Sequence, residues 1–274
     1  MNLPKNLESK LKKLISFLEG KKVIVAFSGG MDSSLLAYVS KKHAKETLLI
    51  TERSILYPEE EVEIAKQFAL KFGINQIIVE NNPLEDREFK SNPLNRCYIC
   101  KKRLYDEILK IKKEKNFDII IDGSNLDDLN DYRPGLNALR ELNISTPYIN
   151  FNISKQDIKE ICNYYDLDVQ SKPSMACYSS RIPYNQEITE EKLSLISKSE
   201  NFLKKKFDLK QLRVRYHDQD LARIEFLKED LPKILTPNNI ELIKKKLKEF
   251  GFCYITIDLE GFRTGSMNFF FKKN

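Results

Sequence analysis

Tryptophan is absent from this 274-residue chain, and histidine occurs only twice. The missing tryptophan leaves the core no poorer, because sixteen phenylalanines and twelve tyrosines can fill it. Neither His43, on a helical pattern, nor His217, in a distal turn, is placed to complete a zinc site. No apolar run approaches the length that crosses a bilayer, and residues 1–10 lack the apolar core of a signal peptide, so a cytoplasmic protein is expected. Internal repeats, low-complexity stretches and recognisable RNA-binding modules are likewise missing. The net charge of +6 is modest and rests on lysine-rich stretches such as 204–206 and 244–246, which read as solvated helix surface. Neither a membrane nor a nucleic acid is therefore expected as a partner. The five cysteines are an odd number, which argues against a disulfide scaffold and for metal, cluster or thiol chemistry in some of them.

What is present is organised around one stretch, Val23 to Ser40. Val23 to Phe27, with Ala26 near its end, is an apolar, β-branched run of the kind that fills a buried parallel strand. Ser28-Gly-Gly-Met-Asp-Ser33 then makes a tight turn, and Leu35, Leu36 and Val39 give the following helix an apolar face. Strand, glycine turn and helix in that order leave backbone N–H groups at one helix N-terminus, a ready phosphate site. It is not the P-loop pattern, which needs wider glycine spacing and a lysine. Gly29 and Gly30 let the backbone approach a ligand, and Ser28 and Ser33 add hydroxyl donors. Asp32 either holds the loop or positions Mg²⁺; its plain alternative is an acid that favours a helix start.

Further apolar strands are expected at 47–51, 76–79 and 117–121, separated by helices at 58–72 and 101–115. Two more helices follow at 134–142 and 155–165, with a short strand or extended link at 146–149 between them. This alternation predicts an α/β fold, a parallel sheet with helices on both faces, whose ligands gather beyond the carboxyl ends of the strands. Ser28, Arg53 and the loop Asp122 to Asn125 fall at that edge. Gly123 permits close passage beside a flat ligand such as adenine or ribose, and Asn125 offers polar groups there. A boundary near Pro183 separates a nucleotide-binding domain, residues 1–183, from a smaller α+β domain, residues 184–274. The second holds helices at 189–207 and 238–250 and strands at 211–216, 221–226 and 252–259; residues 269–271 are expected to pack on another subunit.

Cys97-Tyr-Ile-Cys100 has the spacing that lets two sulfurs reach one metal centre, with a helix expected directly after it. Cys177 is the third candidate ligand, and Arg96, Lys101 and Lys102 surround the pair with charge that favours thiolates. By residues alone an iron–sulfur cluster with one open iron, a zinc site and redox thiols all stay open; Cys162 and Cys253 read as packing. Arg213 and Arg215 alternate along a strand and so share a face. Two adjacent guanidiniums need an anion over them or ion pairs with acids such as Glu225 or Glu260, and Arg223 and Arg263 extend the set.

The chain as a whole resembles the LarE family of ATP-dependent sulfur transferases, within the PP-loop superfamily. The matching stretches are Ser28-Gly-Gly-Met-Asp-Ser33, Asp122-Gly-Ser-Asn125 with Asp131-Tyr-Arg-Pro-Gly135, the segment from Lys172 through Cys177 to Pro183, Arg213-Val-Arg215, and 258–268. The resemblance implies an adenine nucleotide alpha hydrolase-like PP-loop domain that uses ATP and Mg²⁺ to adenylate pyridinium-3,5-biscarboxylic acid mononucleotide. Sulfur would then displace AMP, in nickel-pincer cofactor biosynthesis. For a chain with Cys97 and Cys100 besides Cys177, it implies a [4Fe-4S] cluster on these three that takes sulfide from inorganic sulfide or another sulfur donor. In relatives with a single active-site cysteine, the residue matching Cys177 gives up its own sulfur.

On the same basis Cys177, Asp32, Arg213 and Arg215 are the catalytic candidates. Ala26, Ser28, Gly29, Gly30, Asp32, Ser33, Arg53, Gly123, Asn125, Arg133, Arg181 and Arg263 are the candidates for holding nucleotide or substrate phosphate, with Glu187 or Glu200 orienting polar groups nearby. A homo-oligomer is implied as well. The alternatives are an enzyme that thiolates or desulfurates tRNA or another small molecule, and a non-catalytic assembly protein that binds ATP or zinc.

Overall fold

The computed structural model describes residues 3–130, 134–169, 176–263 and 265–267. The expectations placed on Arg133 and on residues 172–175 and 269–271 lie outside the described residues. The chain forms two compact units, Met1–Pro83 with Asn95–Ser174, and Leu84–Leu94 with Met175–Asn274.

The first unit opens with α1 (Lys5–Leu18), β1 (Lys22–Ala26), α2 (Met31–His43), β2 (Glu46–Arg53), α3 (Glu59–Phe72) and β3 (Asn75–Glu80). The chain leaves it for the short α4 (Arg87–Lys90) and returns with α5 (Arg96–Glu114), β4 (Ile119–Asp122), α6 (Gly135–Glu141), α7 (Pro147–Asn150) and α8 (Lys155–Tyr164). Its four strands are all parallel, in the order β3-β2-β1-β4, with Val23 between Thr47 and Ile119. Both faces of β1 are covered. Val23 and Val25 join one core with residues of α1, α2, α3 and α8, while Ile24 joins another with Tyr105 and Ile108 of α5 and Leu139 of α6. Burial on two sides explains the unbroken apolar run. The strands build outward from β1 to β3 and then return to its other side as β4. The order reverses at the carboxyl end of β1, where open parallel sheets bind ligands.

Two local expectations are corrected. α5 starts at Arg96, so Cys97 and Cys100 stand in its first two turns, not ahead of it. Residues 146–149 make no strand: Pro147 begins α7, where its fixed φ suits a helix start and its missing N–H is not needed, and only Ser145 bridges Ile121.

The second unit contains a 3₁₀ turn (Tyr178–Arg181), α9 (Glu190–Phe207), β5 (Leu212–His217), β6 (Leu221–Phe226), α10 (Leu231–Ile234), α11 (Pro237–Phe250) and β7 (Tyr254–Ile257). β5 and β6 pair antiparallel and β6 and β7 parallel. Thr189 caps α9 by accepting from Lys192 N at 3.3 Å, and the helix packs on β5. Asn92 ties the 84–94 segment into this unit. It is buried, takes a left-handed φ of 56°, and donates from Nδ2 to the carbonyls of Ile182 (3.3 Å) and Pro183 (2.7 Å). The α/β fold with a smaller α+β unit is therefore the observed one. No described helix is long and apolar enough to cross a membrane.

Candidate active site

The loop after β1 is held by its own hydroxyls. Ser28 and Ser33 Oγ lie 3.1 Å apart, and Ser33 Oγ donates to Gly30 O at 3.1 Å. Gly29 takes φ 73°, and a Cβ there would press to 3.4 Å on the Ala65 backbone. Gly30 then opens α2 with no side-chain cap, so first-turn N–H groups point out of the loop without an internal acceptor of that kind. Ala26, the last residue of β1, pairs with Ile50 and Asp122 and places the loop beside β4. Asp32 receives Lys155 Nζ on both carboxylate oxygens, at 2.7 and 2.6 Å, and its carbonyl accepts from Tyr148 OH at 3.0 Å. Burial, then the Asp32 charge, pushes the Cys162 thiol up to about 12, which keeps it an inert core residue as expected.

The loop after β4 closes on the first. A Cβ on Gly123 would sit 3.2 Å from Ser33 N, so glycine is what lets the two loops touch. Asn125 is buried and shapes its turn, accepting on Oδ1 from Asp127 N at 3.0 Å and donating its own N–H to Asp128 Oδ2 at 2.9 Å. Asp122 is also buried; Lys101 Nζ lies 3.2 Å away, Ser124 N donates at 2.8 Å, and Tyr105 OH donates as well. Burial would raise its carboxyl, but Lys101, Ser124 and Tyr105 outweigh that and hold it at about 2. Glu52, at the end of β2, shows the opposite balance. Burial raises it beyond what Asn81 and Lys101 offset. Arg53 is engaged by Glu59 at 3.0 Å and Glu80 at 2.7 Å.

In the second unit, half-buried Cys177 precedes the 3₁₀ turn. Arg181 is fully buried, forks onto Glu200 at 2.9 and 3.0 Å, and donates to the carbonyls of Ala176 and, at 2.9 Å, Cys177. Glu200 also accepts from Val214 N at 3.0 Å, which fastens this turn to β5. Arg213 and Arg215 are both buried. Arg215 binds Glu225 at 2.8 Å and Ser180 O at 3.1 Å. Arg213 donates to Leu212 O at 2.8 Å and Gln211 at 3.2 Å and lies over the Phe262 ring; no carboxylate stands within ion-pair distance among the described residues. Burial, then Arg181 and Arg215, depress it to about 10. Arg223 pairs with Glu225 and Asp258, and Arg263 with Asp258 and Glu260. Glu187 is a surface residue facing Lys90 at 3.3 Å.

None of the five cysteines forms a disulfide. Cys97 is exposed and Cys100 half-buried, one turn apart on α5 of the first unit, whereas Cys177 belongs to the second. Among the described residues no group of three or more His, Cys, Asp or Glu side chains is arranged to hold a metal ion.

Residues 22–108 match the family profile of the queuosine biosynthesis protein QueC. An uncharacterized protein of Synechocystis is 37% identical over 96% of this chain and 98% of its own length, and one of Methanocaldococcus jannaschii is 36% identical over 96% and 97%. The pyridinium-3,5-bisthiocarboxylic acid mononucleotide synthase of Lactiplantibacillus plantarum is 30% identical over 96% of this chain and 95% of its own. The chain belongs to the LarE-like family of the PP-loop superfamily. A 7-cyano-7-deazaguanine synthase of Staphylococcus aureus is 38% identical over 65 residues, 24% of this chain and 29% of its own length.

The PP-loop unit fits ATP and a divalent cation on its own chemistry. The loop is preformed, the start of α2 is uncapped, and the Lys155 ammonium already stands in for a cation on Asp32. The donor set on α5 fits a thiophilic centre, since both thiols lie at the positive end of a helix beside Lys101 and Lys102. Sequence reasoning missed Lys155, Glu52, Tyr105 and Asn81. Tyr105 had a signal, the four-residue steps Cys97, Lys101 and Tyr105 along one helix face. Lys155 had none, being 123 residues from Asp32.

Proposed function

We propose that this protein is an ATP-dependent sulfur transferase acting on a carboxylate of pyridinium-3,5-biscarboxylic acid mononucleotide, within nickel-pincer cofactor biosynthesis. The observation that carries the reading is the preformed Ser28–Ser33 loop at the uncapped start of α2, set against Gly123 where the strand order reverses. The choice of acceptor is supported by the name of the Lactiplantibacillus relative, a pyridinium-3,5-bisthiocarboxylic acid mononucleotide synthase similar along nearly its whole length.

A carboxylate oxygen attacks the α-phosphorus of ATP, the bond to the β-phosphate oxygen breaks, and pyrophosphate leaves. The α2 N–H groups stabilise the charge that develops on it, and Asp32 would hold a divalent cation that would add to this stabilisation. Hydrosulfide then attacks the acyl carbon, the bond to AMP breaks, and a thiocarboxylate, AMP and a proton are released. Cys97, Cys100 and Cys177 would hold a [4Fe-4S] cluster, which would supply the sulfide. Arg213 and Arg263 suit a substrate phosphate, and Arg215 orders their surroundings through Glu225 and Ser180. Arg181 serves by fixing the backbone of Cys177. Assembly into a homo-oligomer is proposed from the family.

Isotope exchange between ATP and pyrophosphate tests the activating half. Exchange that depends on the dicarboxylate mononucleotide is expected; exchange with tRNA and not with the mononucleotide would sink the reading.

A further inference from the structure

Arg53, Lys101 and Lys155 are cationic side chains at the carboxyl edge of the parallel sheet or beside it. Arg53 is held by Glu59 and Glu80, and Lys101 by Asp122, all outside the phosphate loop. Lys155 differs, because its partner is the loop acid itself. Its Nζ lies 2.7 and 2.6 Å from the two oxygens of Asp32. The base of this side chain is fixed. Lys155 N donates to Asp127 Oδ2 at 2.6 Å, and the Ser154–Asp157 capping box sets the start of α8. Its tip is not fixed by burial, since the side chain is 48% exposed.

A carboxylate at the mouth of a polyphosphate loop repels the ligand unless a cation stands between them. The Lys155 ammonium does that duty on Asp32. We propose that Lys155 is a polyphosphate-binding residue: Mg²⁺ replaces its ammonium on Asp32 when MgATP enters, and the released ammonium swings on its four-carbon stem to a phosphate oxygen. Each charge keeps an opposite partner in both states. A lysine suits the task as a compact charge on a flexible arm. The inference rests on the reading that the loop binds ATP.

The full-length protein and its Lys155→Met and Lys155→Arg variants test it by two equilibrium titrations, Mn²⁺ without nucleotide and MgATP. Lys155→Met should bind Mn²⁺ about ten-fold tighter, because the competing ammonium is gone, and MgATP about ten-fold more weakly. Lys155→Arg should restore MgATP affinity to within about three-fold. Damage to the fold would weaken both ligands and cannot give changes of opposite sign. An unchanged or weakened Mn²⁺ affinity in Lys155→Met, or an unchanged MgATP affinity, overturns the exchange. Wild-type protein that binds no MgATP overturns the nucleotide reading itself.

Discussion

Asp122 carries a term in stability that can be isolated. Its carboxyl is held at about 2, against an ordinary 3.8, by Lys101, Ser124 and Tyr105 acting against burial. The folded value lies below the unfolded one, so the contribution is fully present above pH ~4 and is lost as the pH falls towards 2. It amounts to about 2 kcal/mol at neutral pH. Asp122→Asn should lower the unfolding free energy in urea by about that much at pH 7, and the two proteins should converge between pH ~4 and ~2. Arg181 is a different case. It and Glu200 are both fully buried, so Arg181→Met would strand a carboxylate without its counter-ion. A loss of about 3–5 kcal/mol is expected, read as a lower denaturant midpoint with an unchanged slope.

At the scale of elements, some helix starts carry a side-chain cap and others, α1, α2, α3 and α5 among them, do not. α8, α9 and α11 open on Ser154, Thr189 and Thr236, each accepting from a backbone N–H, whereas α2 opens on Gly30 without such a bond. Gly123→Ala acts on that opening, because the added Cβ meets Ser33 N at 3.2 Å. We expect a MgATP affinity about ten-fold lower by calorimetry with the circular dichroism spectrum unchanged, an effect of about 1.4 kcal/mol. The strand–loop–helix unit was legible in sequence because an apolar run, two glycines and a helical period each have a local cause. The start of α5 was not, since Asn95 opens it without a side-chain cap and the polar residues around the cysteines hide the helical period. Nor was the passage of 84–94 into the second unit, which depends on Asn92 meeting carbonyls some ninety positions later. The strand face of Arg213 and Arg215 was readable from alternation, but the burial of Arg215 against Glu225 depends on β6.

For the whole molecule, the similarity to the synthase covers 96% of the chain and so spans both units. The first unit holds the Ser28–Ser33 loop together with Cys97 and Cys100, and the second holds Cys177 and the buried arginines. Family membership and fold support an ATP-dependent PP-loop enzyme, and the delivery of sulfur is what separates the proposed function from other PP-loop reactions. It is tested most directly by incubating anaerobically purified protein with ATP, Mg²⁺, sulfide and the dicarboxylate mononucleotide, and weighing the product by mass spectrometry. Several oxygen-for-sulfur exchanges per chain are expected, lost in Cys97→Ala, Cys100→Ala and Cys177→Ala while pyrophosphate exchange persists. ATP consumption with the carboxylate mass unchanged, or full multiple-turnover product from Cys177→Ala, would contradict it.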